Sequence, residues 1–133
     1  MGNDKVPLAE SRVNRIYLAG PMTGIEDYNF PAFNKEAAAL REKGFEVINP
    51  ADHGIVEGAE WGDYLRYDLG KLVTCEGIHF LPGWERSRGA QLEYKVAQAL
   101  SMKITYAEAS EFDTKWFNDG VFIKTLLEKL GGK

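Results

Sequence analysis

Two periods of apolar residues alternate along this chain. Val13-Asn14-Arg15-Ile16-Tyr17-Leu18-Ala19 is β-branched and aromatic and stops at Gly20-Pro21, which predicts a first strand. Met22–Tyr28 reads as a loop, after which Asn29 is placed to cap a helix that tolerates Pro31 in its first turn. Phe33, Ala37 and Leu40 follow at helical spacing, and Gly44 suits the position just past the helix end. Phe45-Glu46-Val47-Ile48 predicts a second strand closed by Asn49-Pro50. A polar loop leads to Trp61, Leu65, Leu69, Leu72 and Val73, an amphipathic helical pattern. Gly77–Leu81 is the third predicted strand, ended by Pro82-Gly83. The helix after it carries Leu92, Val96, Ala99 and Leu100 on one face. Ile104–Tyr106 is a short fourth strand, and Val121–Leu130 a final helix.

Strands alternating with helices of this length mean βαβ units and a parallel sheet, so the fold class is α/β. Ligands of such sheets sit beyond the carboxyl ends of the strands, where the strand order reverses. Three loops therefore converge on one edge: Gly20–Asn29, Asn49–Trp61 and Pro82–Gly89. Residues 1–12 read as a flexible lead-in and 13–133 as a single domain, without repeat or linker.

Composition narrows the function classes. A chain of 133 residues buries about two-thirds of its unfolded surface, enough for one core. Hydrophobic residues make up 44% and charged ones 27%, which argues against a disordered chain. A net charge of −4 gives no broad footprint for a nucleic-acid polymer or an acidic membrane, though a local basic pocket is compatible with it. The single Cys75 excludes an intrachain disulfide framework, has no neighbouring helper, and fits a reducing compartment. No apolar run approaches the ~18 residues of a membrane span. Met1–Asn14 lacks the apolar stretch of a signal peptide, so a cytoplasmic protein is expected.

Glu93 is the most informative residue. Its helical neighbours are Gly89, Ala90, Val96 and Ala97, none a cation and all small or apolar. A carboxylate aimed inward there is costly unless hydrogen-bonded or used; the alternative is an acid favoured by the helix dipole. Asp68, between Tyr64, Leu65, Lys71 and Leu72, borders its helix's apolar stripe, and either pairs with Lys71 on the surface or serves a site. Asp63 reads as a solvated or capping residue. Trp84-Glu85-Arg86-Ser87-Arg88-Gly89 opens a helix, which makes it either an anion site or a solvated turn; it lacks the Gly-Lys-Ser/Thr ending of a Walker motif. Tyr28, Phe30, Phe33, Trp61 and Trp84 cluster at the same edge, mostly as core, with one or two free to stack on a planar base. His53 and His79 lack metal-ligand spacing and read as core or surface.

Taken in order, Tyr17-Leu-Ala-Gly-Pro21, Asn49-Pro50, Asp68 and Gly89-x-x-x-Glu93 resemble the nucleoside 2-deoxyribosyltransferase-like superfamily. More narrowly, Tyr-Leu-Ala-Gly-Pro-Met-Thr-Gly followed by Tyr-Asn-Phe-Pro-x-Phe, from Tyr17 to Phe33, is similar to a compact set of domains common in bacteriophages. The resemblance covers residues 13 to 106. It implies a flavodoxin-like or Rossmann-like three-layer sandwich with a mostly parallel sheet of four to five strands, and cleavage of an N-glycosidic bond in a deoxynucleoside or its 5′-monophosphate. Under it Glu93 is the nucleophile, Tyr17 holds that carboxylate, and Asp68 lies near the sugar and the leaving base. Gly20, Ser87 and Gly89 fall where related hydrolases receive the 5′ end, and Met22, Tyr28, Phe30, Trp84 and Arg88 complete the substrate-contacting set. A further carboxylate common in the transferases, six residues before the nucleophile, is replaced by Ser87, with Glu85 as a substitute. Base preference and transfer versus hydrolysis therefore stay open.

The resemblance implies no metal or organic cofactor, a small-molecule nucleoside or nucleotide as partner, a homodimer or larger assembly, and a host-cytoplasmic location if phage-encoded. The alternative function is a non-catalytic module of the same fold that binds a nucleotide derivative.

Overall fold

The computed structural model describes residues 14–107. The expected lead-in and the Val121–Leu130 helix lie outside these residues. Four strands, β1 (Arg15–Ala19), β2 (Glu46–Ile48), β3 (Gly77–Phe80) and β4 (Lys103–Tyr106), form one sheet in the order β2-β1-β3-β4. Every pairing is parallel. Three helices connect them: α1 (Phe30–Glu42), α2 (Trp61–Leu72) and α3 (Arg88–Ala99). The α/β sandwich expected from the sequence, flavodoxin-like or Rossmann-like, is what forms.

Strand alternation sorts the core into two layers. Ile16 and Leu18 of β1 point to the side where Phe33, Ala37 and Leu40 of α1 pack, together with Val47. Tyr17 and Ala19 point the other way, to Leu72, Ile78, Phe80, Ala90 and Ala97 beneath α2 and α3. His79, alternating with Ile78 and Phe80, falls on the α1 side. There it bonds Glu36 and Thr105, each at 2.7 Å, and is only 6% exposed. It is a satisfied core histidine.

The predicted elements occur, with corrections at their edges and faces. Asn29 precedes α1 as expected but does not cap it through its side chain, because it sits in a left-handed conformation (φ 62°). Its Nδ2 instead donates to the Pro21 carbonyl at 3.0 Å, tying the loop after β1 to the start of α1. The α3 face is also different: Leu92 and Leu100 are exposed, and Ala90, Glu93 and Ala97 are the buried set. The face that α3 turns to the sheet is therefore lined by small residues and Glu93, and the leucines lie outside that layer. Trp61 and Val73, read as part of the α2 apolar stripe, are likewise exposed. Asp63 accepts from the Glu60 backbone at 2.9 Å, a capping role that holds the first turn of α2. Among the described residues no helix is long and apolar enough to cross a membrane.

Candidate functional site

The strand order reverses between β1 and β3, and a cleft opens at that point. β1 leads leftward through α1 to β2, while β3 continues rightward to β4, so the chains leaving β1 and β3 diverge. The Leu81 amide still donates to Ala19 at 2.8 Å, holding the two strand ends together. Gly20 stands at the junction, and a Cβ there would lie 2.9 Å from Leu81 Cβ. Beyond it lies a cavity of about 840 Å³ bounded by the three strand-end loops and the first turns of α2 and α3.

Glu93 lies in the wall of this cavity. It is 6% exposed, with Ala90 and Ala97 one turn to either side on the buried face of α3. Tyr17, at the centre of β1 and 1% exposed, donates its hydroxyl to Glu93 Oε2 at 2.7 Å. Burial pushes the Glu93 carboxyl up to about 8; the Tyr17 hydrogen bond works against this, and the nearby Asp68 charge adds to it. The Tyr17 hydroxyl is held well above its usual value by burial, then by Glu93 and Asp68.

Asp68 faces the cavity from α2 and does not pair with Lys71, whose ammonium lies over the Tyr67 ring instead. Its partner is His53, in the 3-10 turn Pro50–His53 that follows β2. His53 Nδ1 lies 2.7 Å from the Gly54 carbonyl; only a protonated nitrogen can meet that acceptor, so Nε2 is the end left facing Asp68. Nε2 to Asp68 Oδ1 is 3.4 Å, an ion-pair distance without hydrogen-bond geometry, and Nε2 has no hydrogen-bond partner among the described residues. Tyr64 and Tyr67 flank the ring at 5.2 and 5.8 Å. Burial raises the Asp68 carboxyl to about 6, moderated by His53. His53, expected from the sequence in the core or on the surface, lines the cavity. The signal lay in its position five residues past a parallel strand's end, where ligand-facing residues gather.

The loop before α3 builds the opposite rim. Ser87 caps α3 by accepting from the Ala90 amide at 3.2 Å, so its hydroxyl is engaged in the helix start. Arg86, Ser87, Arg88 and Gly89 all line the cavity. The Arg88 guanidinium stacks 4.1 Å above the Trp61 ring, bridging the first turns of α3 and α2. Gly20, Met22, Tyr28 and Phe30 line the cavity as expected. Trp84 does not. Its ring packs on Phe80 (4.5 Å) and Tyr94 (5.0 Å) in the layer between α3 and the sheet, because the 3-10 turn Trp84–Arg86 directs it inward. Glu85, too, lies outside the cavity lining; its carbonyl accepts from the Gln91 side chain. Cys75 is buried in the same layer as Tyr17 but does not line the cavity; burial lifts its thiol to about 11.

Together these features define an open parallel α/β domain whose switch-point cleft holds two protonatable carboxyls, one fixed by a tyrosine and one facing a histidine. The chain belongs to the family described as Domain of unknown function (DUF4406), which matches residues 14–106 and so spans nearly all of the fold just described. A comparison with curated proteins finds no match.

Proposed function

We propose that this domain cleaves the N-glycosidic bond of a deoxynucleoside or deoxynucleoside 5′-monophosphate through a covalent glycosyl–Glu93 ester. The observation that carries the reading is the buried Glu93 carboxyl in the cavity wall, oriented by Tyr17 at 2.7 Å. The order of motifs from Tyr17 to Glu93 supports it by resemblance.

In the first step a Glu93 oxygen bonds to the sugar C1′ as the bond from C1′ to the base nitrogen breaks. The electron pair of that bond stays on the base, which takes a proton from Asp68. Positive charge spreads over the sugar ring in the transition state, and an adjacent carboxylate attracts it more strongly there than in the ground state. In the second step water or another base attacks C1′. The C1′–Oε bond breaks, its electrons return to Glu93, and Asp68, now a base, takes the attacker's proton. Burial raises the Asp68 carboxyl toward neutrality, which brings both its acid and its base form within reach. Arg86, Arg88 and the α3 start supply positive potential on the rim, compatible with a 5′-phosphate. Assembly of two or more copies, which would help seal the cleft from water, and a cytoplasmic location belong to the same proposal.

A binding module of the same fold is the second reading. One observation favours it: with its carboxyl pushed up to about 8, Glu93 is mostly protonated at neutral pH and suited to donate a hydrogen bond to a ligand. Incubating the purified protein with deoxynucleosides and their monophosphates, then chromatographing for free base, separates the two. The enzyme releases base and Glu93→Ala does not, while keeping the wild-type circular dichroism spectrum. Base release by Glu93→Ala at the wild-type rate removes Glu93 as nucleophile. No release, with a nucleotide-dependent rise in melting temperature, establishes the binding module.

A further inference from the structure

The loop between β1 and α1 contains three consecutive non-glycine residues in the left-handed region: Asp27 (φ 55°), Tyr28 (φ 53°) and Asn29 (φ 62°). Asparagine and aspartate tolerate this conformation because short polar side chains fit it; a bulky aromatic does not, since Cβ crowds the neighbouring carbonyl. Core packing does not impose it, for Tyr28 is 50% exposed and no residue of the turn Glu26–Asn29 is buried. The turn is nonetheless fixed. The Tyr28 amide donates to Ile25 at 2.9 Å, and Asn29 ties it to Pro21 beside the Gly20 junction. What the conformation achieves is placement: the Tyr28 ring stands in the cavity wall, 5.8 Å from the Phe30 ring and tilted 39° to it. Strain held at an exposed aromatic beside a cleft is the pattern of a ligand clamp.

We infer that Tyr28 is a specificity-determining residue, held in a strained backbone so that its ring forms a stacking wall for the heteroaromatic base of the ligand. Phe30 backs that wall. The ligand class is taken from the proposed function, but the inference needs only a bound base, not bond cleavage. A stacked ring tolerates any base, so Tyr28 sets the preference for a planar aromatic group over a bare sugar phosphate.

Three substitutions separate ring from backbone: Tyr28→Phe keeps both, Tyr28→Ala removes the ring and keeps the strain, and Tyr28→Asn removes the ring and relieves the strain. Affinity for the four deoxynucleoside 5′-monophosphates and for deoxyribose 5-phosphate is measured by calorimetry in a Glu93→Gln background, which holds substrate without turnover. Tyr28→Phe binds the monophosphates as its parent does; Tyr28→Ala and Tyr28→Asn bind them about ten-fold more weakly, with deoxyribose 5-phosphate unaffected. Tyr28→Asn melts above Tyr28→Ala by about 3 °C. The inference falls if the Ala and Asn variants bind the monophosphates within two-fold of the parent, if the parent binds none of them, or if Asn melts no higher than Ala. Wild-type base release whose KM is unmoved by Tyr28→Ala overturns this inference and leaves the glycosidase standing. Ring-dependent binding without any base release does the reverse.

Discussion

Tyr17 and Glu93, 76 residues apart in sequence, meet at 2.7 Å because the inner face of β1 and the buried face of α3 share one core layer. The tyrosine is part of the strand's inner layer and the glutamate of the helix's buried face, so neither side chain has much freedom to leave. The bond opposes the rise that burial imposes on the Glu93 carboxyl. Tyr17→Phe therefore moves the Glu93 titration above about 8 and leaves a buried carboxyl without its donor. In a pH profile of kcat/KM for base release, the descending limb shifts upward and the plateau falls about ten-fold. A limb that stays near pH 8 would show that the tyrosine does not control this group.

The two carboxyls carry opposite duties and inverted values. Covalent attack needs Glu93 ionised and Asp68 protonated, yet Asp68 sits at about 6 and Glu93 at about 8. Because the two values are inverted, only a minority of molecules holds the productive arrangement at any pH. The profile is still a bell with limbs near those values, which belong to the pair as a whole. His53 lowers the Asp68 carboxyl, so His53→Ala moves the ascending limb above about 6 and narrows the bell from the acid side. An ascending limb unchanged in His53→Ala would detach His53 from Asp68.

Most of the fold was readable from the chain, because punctuation and periodicity agreed. Gly20-Pro21, Asn49-Pro50 and Pro82-Gly83 end strands where they were expected to, and Gly44 (φ 98°) follows α1 as a left-handed residue. The inward placement of Glu93 was legible too, since its helical neighbours Gly89, Ala90, Val96 and Ala97 are all small or apolar. What escaped was set by contacts distant in sequence. Leucines outrank alanines in any hydrophobic pattern, which points to the wrong face of α3: Ala90, Glu93 and Ala97 are buried and Leu92 and Leu100 are exposed. Trp84 was placed at the ligand by its neighbours in sequence, but Phe80 and Tyr94 claim its ring. His53 and Asp68 come from separate elements, and only their meeting at 3.4 Å marks the pair.

Gly20 tests the cleft's architecture apart from its chemistry. A Cβ there would stand 2.9 Å from Leu81 Cβ, a buried atom close to the backbone rather than the far end of a flexible chain. Gly20→Ala must push the ends of β1 and β3 apart or displace Leu81 within its cluster. We expect a loss of about 1–3 kcal/mol in denaturant unfolding, the usual range for overpacking. The same widening moves the loop that carries Met22 and Tyr28, so ligand affinity falls with stability. Wild-type unfolding of Gly20→Ala would mean that this junction is looser than its contacts indicate.

Stability against pH follows from the raised carboxyls without reference to any substrate. An unfolded Glu93 titrates near its ordinary 4.5, whereas in the folded protein it does so at about 8. Between those values the folded state binds a proton that the unfolded state has lost, so unfolding free energy decreases as pH rises. Asp68 contributes with the same sign between its ordinary 3.8 and about 6. The stabilisation is complete below about pH 4 for both groups and gone above about 8. A series of thermal melts should therefore descend from pH 5 to pH 8. Glu93→Gln keeps an uncharged acceptor for Tyr17 and cannot ionise, so its curve is flatter than wild type and lies above it at pH 8. Parallel curves for the two proteins would mean that Glu93 is already ionised when buried, and the nucleophile would then need no proton removed before it attacks.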